Sequence, residues 1–214
     1  MKITKLETPR AGLQSLGQVA LSARNRNLLG EAMKTAGGDA PWRARKQAEA
    51  RDLLRLSQMA PPGRLHVERI DLGQHLRAVL FMRVPVPCRP DASNQLPVAD
   101  FAVLGLTYPR EVLQKRLSGM AFFQILEPHG VWHANVGEIG QPLCLGAHLP
   151  VGIPVVELVL SAYGALSMQT VMINEFDPAG VVNRNAARWW QQNIQKAPLS
   201  KTPFLVSENG APGK

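Results

Sequence analysis

The chain has 214 residues, two cysteines and a formal net charge of +8. Hydrophobic residues make up 45% and charged residues 19%, the ordinary balance of a globular protein. Two cysteines exclude a disulfide framework and favour a reducing compartment, and the N-terminus lacks the apolar run of a secretory signal. We therefore expect a cytoplasmic protein with one domain and extensions.

The positive charge is concentrated near the N-terminus. Residues 1–60 carry 11 basic and 5 acidic side chains, so most of the excess lies there. Such a basic arm attracts an acidic protein or nucleic acid by long-range electrostatics, or is only a solvated segment. Because aromatic residues do not interleave with the charges, we do not expect nucleic acid as a partner.

The first elements are a basic extension and a helix. Residues 1–38 are predicted as the extension, partly helical over residues 16–33. Asp39 is a good N-cap and Pro41 fits the first turn of the helix that follows. This helix is predicted to stop at Pro61-Pro62-Gly63.

Four strands follow, each rich in apolar and β-branched residues and bounded by turn signals. The predicted strands cover residues 65–70, 76–86, 100–106 and 120–126. Residues 111–117 predict one or two helical turns before the fourth strand. A long loop over residues 128–144 comes after it.

Two helices complete the predicted α+β pattern. Pro154 opens a helix whose apolar residues recur at helical spacing, and Asn183 or Asn185 caps the last helix. Residues 151–173 are long and apolar, but Pro154 and several polar residues favour a buried helix over a membrane span. Residues 198–214 are predicted to be a flexible tail.

The most informative stretch is His133-Ala134-Asn135 followed by Cys144-Leu145. Cys144 comes nine residues after Asn135, with glycines and a proline between them. This spacing predicts an exposed thiol at the end of a turn-rich loop, with a side-chain amide folded back toward it. Such a pair suits a covalent acyl carrier, which needs a nucleophile and an oxyanion donor. The alternative is a buried core cysteine.

These residues resemble the active site of ubiquitin-conjugating enzymes, in which a His-Pro-Asn tripeptide precedes the catalytic cysteine. The resemblance covers roughly residues 40–195. Its motifs are Tyr108-Pro109, His133-Ala134-Asn135, Cys144-Leu145, Pro154, Asn174-Glu175-Phe176-Asp177-Pro178 and Asn185-Ala186-Ala187. The tripeptide proline and the tryptophan after the cysteine are missing, and the gap is one residue longer. The chain is thus similar to a divergent, prokaryotic ubiquitin-conjugating-like branch.

The resemblance implies a fold with an N-terminal helix, a four-stranded antiparallel sheet and C-terminal helices, placed over residues 39–197. It implies a transferase that takes a ubiquitin-like modifier from an adenylating, activating enzyme and passes it to a lysine of a target protein. No cofactor is needed for that step. Prokaryotic relatives imply a role in antiviral defence.

Six site residues follow from the resemblance. Cys144 is the implied nucleophile, and Asn135 is either the oxyanion donor or a loop brace. Asp177 is implied to orient the incoming lysine, although an Asp-Pro turn before a helix also occurs for local reasons. The implied supporting residues are His133, Asn174 and His148.

Two other functions remain open. The fold can be a non-catalytic binding module for a ubiquitin-like protein, although the presence of Cys144 and Asn135 argues against it. The basic arm can also serve nucleic-acid binding, which would show a steep salt dependence. The second cysteine, Cys88, lies between prolines and is treated as incidental. Neither zinc-ligand spacing nor a phosphate-binding glycine loop is seen in the sequence.

Overall fold

The computed structural model describes residues 15–93, 95–171, 173–177 and 180–205. Helix α1 (Ala23–Lys34) follows a short 3-10 turn over Leu16–Gln18. Ser22 caps it by accepting a hydrogen bond from the Asn25 N–H. Leu29 is buried in the same core as the rest of the domain, so this part of the predicted extension packs onto the fold. The first 14 residues of the predicted arm lie outside the described residues.

Helix α2 (Ala40–Met59) confirms the sequence prediction at both ends. The Asp39 side chain accepts a hydrogen bond from the Trp42 N–H at 3.1 Å, and Pro41 sits in the first turn. The helix ends two residues before Pro61. Its apolar side, including Leu53 and Leu56, is fully buried.

The sheet has five antiparallel strands, in the order β1-β2-β3-β4-β5, and not the four that we expected. They are β1 (Leu65–Asp71), β2 (Leu76–Pro87), β3 (Val98–Tyr108), β4 (Phe123–Glu127) and β5 (Pro142–Leu143). The fifth strand has two residues, one of them proline, so it leaves no alternating pattern in the sequence. The fourth starts later than expected because Gly119–Ala121 forms a 3-10 turn capped by Ser118. The predicted helical turns before it are a single 3-10 turn over Arg110–Leu113.

Two further helices follow the sheet. Helix α3 (Val155–Leu166) starts after Pro154, and helix α4 (Arg184–Asn193) is capped by Asn183 and not by Asn185. A 3-10 turn, Ile194–Lys196, extends α4. None of the helices in the described ranges combines the length and hydrophobicity that crossing a bilayer requires.

A buried carboxylate links α2 to the start of α3. Glu49, 6% exposed, accepts a hydrogen bond from the Val155 N–H at 2.7 Å and pairs with Arg45 at 2.6 Å. Burial raises the pKa of Glu49. Because the Pro154 side chain cannot cap α3, Glu49 supplies the missing acceptor from a different helix.

Part of the segment after α4 packs onto the fold, so the tail that was predicted to begin at residue 198 is shorter than expected. Phe204 and Leu205 are buried, and the Tyr163 hydroxyl of α3 donates to the Thr202 carbonyl oxygen at 2.7 Å. Phe204 also meets the Tyr163 ring edge-on, with centroids 5.1 Å apart. Residues 198–205 therefore belong to the described fold, and the rest of the predicted tail, residues 206–214, lies outside the described residues.

The core lies between one face of the sheet and the helices. Helix α2 contacts β1, and α3 contacts both α2 and β2. The inward side chains of β2 and β3 are buried, as the alternation of burial along both strands indicates. The element order, helix, sheet and C-terminal helices, establishes an α+β architecture.

Candidate functional site

The predicted loop before Cys144 is a β-hairpin. The Cys144 N–H donates to the Asn135 carbonyl oxygen at 2.7 Å, and the Gly137 N–H donates to the Pro142 carbonyl oxygen at 2.9 Å. Val136 and Leu143 form a bridge between these two bonds. Cys144 and Asn135 therefore occupy directly opposed backbone positions at the base of the hairpin.

The tip of the hairpin has a left-handed backbone. Gly140 has a φ of 68° and Gln141 a φ of 50°. The conformation is easy for glycine and uncommon for glutamine. Together these residues form the turn between the two arms of the hairpin.

Gln141 fastens this turn to the sheet. Its side chain is buried and accepts a hydrogen bond from the Val131 N–H, while its amide donates to the carbonyl oxygens of Ile125 and Pro128. These bonds offset the cost of the left-handed backbone. Sequence reasoning missed Gln141, because nothing in a sequence marks a glutamine that adopts a positive φ.

His133 is a neutral brace. Its ring is fully buried, its Nδ1 accepts a hydrogen bond from the Asn135 N–H at 3.0 Å, and its Nε2 lies 2.9 Å from the Ala165 carbonyl oxygen. These partners require the proton on Nε2. Burial lowers the pKa of His133 to about 4, although the bond to Ala165 opposes this shift. The side chain holds the strand against α3 and does not exchange protons near pH 7.

The Asn135 side-chain amide is bonded to the segment before α4. Its Nδ2 donates to the Gly180 carbonyl oxygen at 2.9 Å, and the side chain is 5% exposed. The N–H groups of Val182 and Asn183 both donate to the Ala134 carbonyl oxygen. The geometry thus shows Asn135 bracing the segment before α4, and its role toward an oxyanion stays a prediction.

The Cys144 thiol is buried, so the expected exposed position is wrong. The residue is 4% exposed, and its Sγ lies 3.7 Å from the Gly146 carbonyl oxygen. The two residues after Cys144 pack closely against Gly119. The Gly119 N–H donates to that same carbonyl oxygen at 2.9 Å, and a Cβ on Gly119 would lie 2.5–2.7 Å from backbone atoms of Leu145 and Gly146. Only glycine at 119 allows this approach.

The remaining predicted residues are more distant or more exposed. Asn174 is exposed, and its Oδ1 accepts a hydrogen bond from the Phe176 N–H at 3.2 Å. The half-buried Asp177 donates its N–H to the Asn174 carbonyl oxygen, and its own carbonyl accepts from Val181. These bonds form the local turn that was the structural alternative for Asp177. The end of the turn contacts Asn135, whose amide donates to the Gly180 carbonyl oxygen. His148 is exposed.

The second cysteine, Cys88, lies outside the hairpin. Cys88 is free and half-buried, and burial raises the pKa of its thiol. It pairs through its backbone with Val131, away from the hairpin base. Within the part of the chain that the structure describes, no three His, Cys, Asp or Glu side chains are grouped so that they could hold a metal ion.

Comparison of the chain with protein-family models, with curated proteins and with solved structures finds no match.

The buried imidazole predicts a pH-dependent stability. Unfolded His133 binds a proton near pH 6.5, whereas the folded protein binds it only near pH 4. The unfolded state therefore gains protons first as the pH falls, and stability is lost between these two values, by about 3 kcal/mol. Urea unfolding at pH 7 and pH 4 should show a smaller loss for His133→Asn than for the wild type. His148→Asn, which removes an exposed imidazole, should retain the wild-type loss. Equal losses in His133→Asn and the wild type would contradict the buried neutral state.

The contact at Gly119 predicts that a methyl group there uncovers the thiol. Gly119→Ala pushes the segment after Cys144 away and should destabilise the fold by about 1–3 kcal/mol through overpacking. In a Cys88→Ala background, Cys144 should react faster with an aromatic disulfide reagent under native conditions. Gly30→Ala, in α1 with open space around it, is the matched control and should not change labelling. Destabilisation without faster labelling would mean that this segment does not cover the thiol.

Proposed function

We propose that the chain is a ubiquitin-conjugating-like transferase with the corresponding fold. It accepts a ubiquitin-like modifier on Cys144 from an activating enzyme and passes it to a lysine of a target protein. The observation that carries this proposal is the pairing of Asn135 with Cys144 at 2.7 Å across a hairpin. The resemblance of the sequence motifs, and not the geometry, suggests a cytoplasmic role in bacterial antiviral defence.

The element order supports the proposal. Helix α2 precedes an antiparallel meander, and the hairpin follows β4. Pro154 lies ten residues after Cys144, immediately before α3. The segment before α4 meets the hairpin base through Gly180 and Ala134. Hydrogen bonds thus connect the hairpin to the segment before α4 and to Asn185, which belongs to the last of the motifs.

The first step is a thioester exchange. The Cys144 thiolate attacks the carbonyl carbon of the modifier's thioester on the activating enzyme. A bond forms from Sγ to that carbon, and the bond to the activating enzyme's sulfur breaks. The released thiolate takes up the proton that Cys144 lost, so no cofactor takes part. The product is a thioester on Cys144.

The second step is aminolysis. A lysine amine attacks the carbonyl carbon, the new C–N bond forms, and the bond to Cys144 breaks so that the thiolate returns. Negative charge develops on the carbonyl oxygen, and we assign Asn135 as its donor in this step. We assign Asp177 to hold the amine and take its proton. Because Asn135 now bonds to Gly180, this role requires a shift of the loop that contains Gly180.

The burial of Cys144 favours a second candidate function. A thiol that is 4% exposed cannot meet a protein thioester without movement of the neighbouring chain. If that movement does not occur, the domain is a binding module for a ubiquitin-like protein that keeps the cysteine as a core residue. Gly146, with a φ of 126°, gives the covering segment a backbone that can change conformation.

Two exposed apolar side chains near the hairpin support a protein partner. Ile139 at the tip is 94% exposed and Phe176 is 82% exposed. Each follows a glutamate held by α4: Glu138 lies 3.3 Å from Asn185 Nδ2, and Glu175 pairs with Arg188 at 2.9 Å. Asn185 and Arg188 are three residues apart and so lie on one face of α4. Ile139 and Phe176 therefore lie beside the same helix face. Large apolar side chains held in water are typical of a surface that another protein covers.

Cys144 should be the acylated residue. A short peptide with a C-terminal glycyl thioester serves as the probe, because it needs no activating enzyme. Intact mass should show one adduct, reversed by dithiothreitol, on the wild type and Cys88→Ala but not on Cys144→Ala. Gly119→Ala should form it faster. An adduct that persists on Cys144→Ala contradicts the assignment, and no adduct even on Gly119→Ala favours the binding module.

Discharge of this adduct to free lysine should separate the other two roles. Asn135→Ala should slow discharge by about 10²–10³ if the amide stabilises the oxyanion. Asp177→Ala should slow it most near pH 7 and less toward pH 10, because free lysine, with a pKa of about 10.4, then supplies neutral amine unaided. Rates at pH 7–10 for the two variants and the wild type provide the measurement. Parallel pH curves for Asp177→Ala and the wild type would leave Asp177 a turn residue only.

A further inference from the structure

Among the described residues, no helix covers the outward-facing side of β2 and β3. Side chains on β2 and β3 alternate between buried and half-exposed, and in each strand the odd-numbered positions point outward. The strands are paired with Arg77 opposite Thr107 and Arg83 opposite Phe101, so these positions share one surface. We call this surface the outer sheet face. It includes Arg69, Arg77, Phe81, Arg83, Phe101 and Gln124, and the exposed Glu127 of β4 pairs with Val103.

Two aromatic rings lie at its centre. Phe81 on β2 and Phe101 on β3 are stacked, with centroids 4.8 Å apart and planes 24° apart, and both remain half-exposed. Val103 lies directly opposite Phe81. Because the rings stack on each other, each has one face covered by its partner, and the pair forms an apolar platform on two neighbouring strands of the sheet. Unstacked nucleic-acid bases bind such platforms through their faces.

A groove with cationic walls lies beside this platform. It has a volume of about 610 Å³ and runs from Arg69 and Arg77 to Gln124, with Gly105 in its floor. The ion pairs formed by the described residues involve none of Arg69, Arg77 and Arg83. The groove contains one carboxylate, Asp71, which already accepts a hydrogen bond from the Gly73 N–H at 2.8 Å. The guanidinium groups of these three arginines can therefore bind an anion.

The basic surface continues onto α1. Arg24 reaches across the edge of the sheet, and its Nη2 lies 2.7 Å from the His66 ring on β1. His66 is opposite Phe81 in the strand register. The charge of α1 therefore adds to that of the outer sheet face, in a chain whose net charge is +8.

We propose that the outer sheet face binds single-stranded nucleic acid. Bases stack on Phe81 and Phe101, and phosphates bind Arg69 and Arg77. Arg77 and Phe81 are four strand residues apart, about 14 Å, so a chain of several nucleotides is needed to contact both sites. A duplex fits poorly, because its bases are already stacked and hide their faces. This proposal does not depend on the chemistry of Cys144.

The sequence disfavoured nucleic acid because aromatic residues do not accompany the basic arm. The fold provides aromatic residues elsewhere. Phe81 and Phe101 are twenty residues apart in sequence and become neighbours only when β2 and β3 pair. The aromatic and basic side chains that single-stranded binding requires are then found together on a different surface from the arm.

The test is fluorescence anisotropy of the full chain with labelled ten-nucleotide probes. Oligo-dT, oligo-rU and a ten-base-pair DNA duplex are titrated at 50–300 mM salt. One or both single strands should bind more tightly than the duplex, and comparison of dT with rU identifies the preferred sugar. Phe81→Leu should weaken binding about 5- to 100-fold, whereas Phe81→Trp should retain it because it keeps a stacking ring. Arg77→Gln should reduce the slope of log K against log salt by about 0.7.

The control is Arg184→Gln, which removes the same charge from α4, away from the sheet. It should leave both the affinity and the salt slope close to the wild type. Circular dichroism and thermal unfolding of each variant show whether it is folded. The proposal is overturned if neither single strand binds at 50 mM salt, or if the duplex binds as tightly. It is equally overturned if folded Phe81→Leu and Arg77→Gln bind like Arg184→Gln, which would assign the binding to charge alone.

Discussion

The backbone pairing of Asn135 with Cys144 is the constraint on which the candidate site depends. It joins two positions nine residues apart and fixes which side of the hairpin each presents. Three buried polar side chains serve this geometry. His133 ties the first arm to α3, Gln141 ties the turn to β4, and the Asn135 amide ties the base to the segment before α4. Because each of these groups is buried, loss of one leaves partners unsatisfied, and the hairpin depends on all of them together.

Local signals in the sequence predicted the helices and most of the sheet. Asp39 and Asn183 are capping residues, and their hydrogen bonds to the N–H groups three residues later depend only on the neighbouring chain. The strands β1 to β3 carry enough alternation to be found, although their ends moved by a few residues. The sequence predicts the Asn135 side-chain amide near the Cys144 thiol, whereas the structure pairs the two residues through their backbones.

The features that escaped the sequence all depend on distant residues. The close packing of the two residues after Cys144 requires Gly119, which is 25 residues from Cys144 and is important because it lacks a side chain. Gln141 is held by atoms of β4 and of the turn after it. Phe81 meets Phe101 through strand register. A pattern within one segment cannot report contacts whose partners are set by the tertiary fold.

The left-handed turn at Gly140 and Gln141 has a consequence for how such chains vary in length. In an antiparallel pair, side chains alternate between faces with a period of two, so a residue added within either arm would turn Cys144 or Asn135 to the opposite side. A residue added at the turn changes neither arm, provided that the turn adopts a positive φ and is fastened to the sheet, as Gln141 is. Insertions and deletions are therefore tolerated at the tip and excluded from the arms. In a set of related chains, the spacing between the asparagine and the cysteine would vary while their relative orientation stays constant.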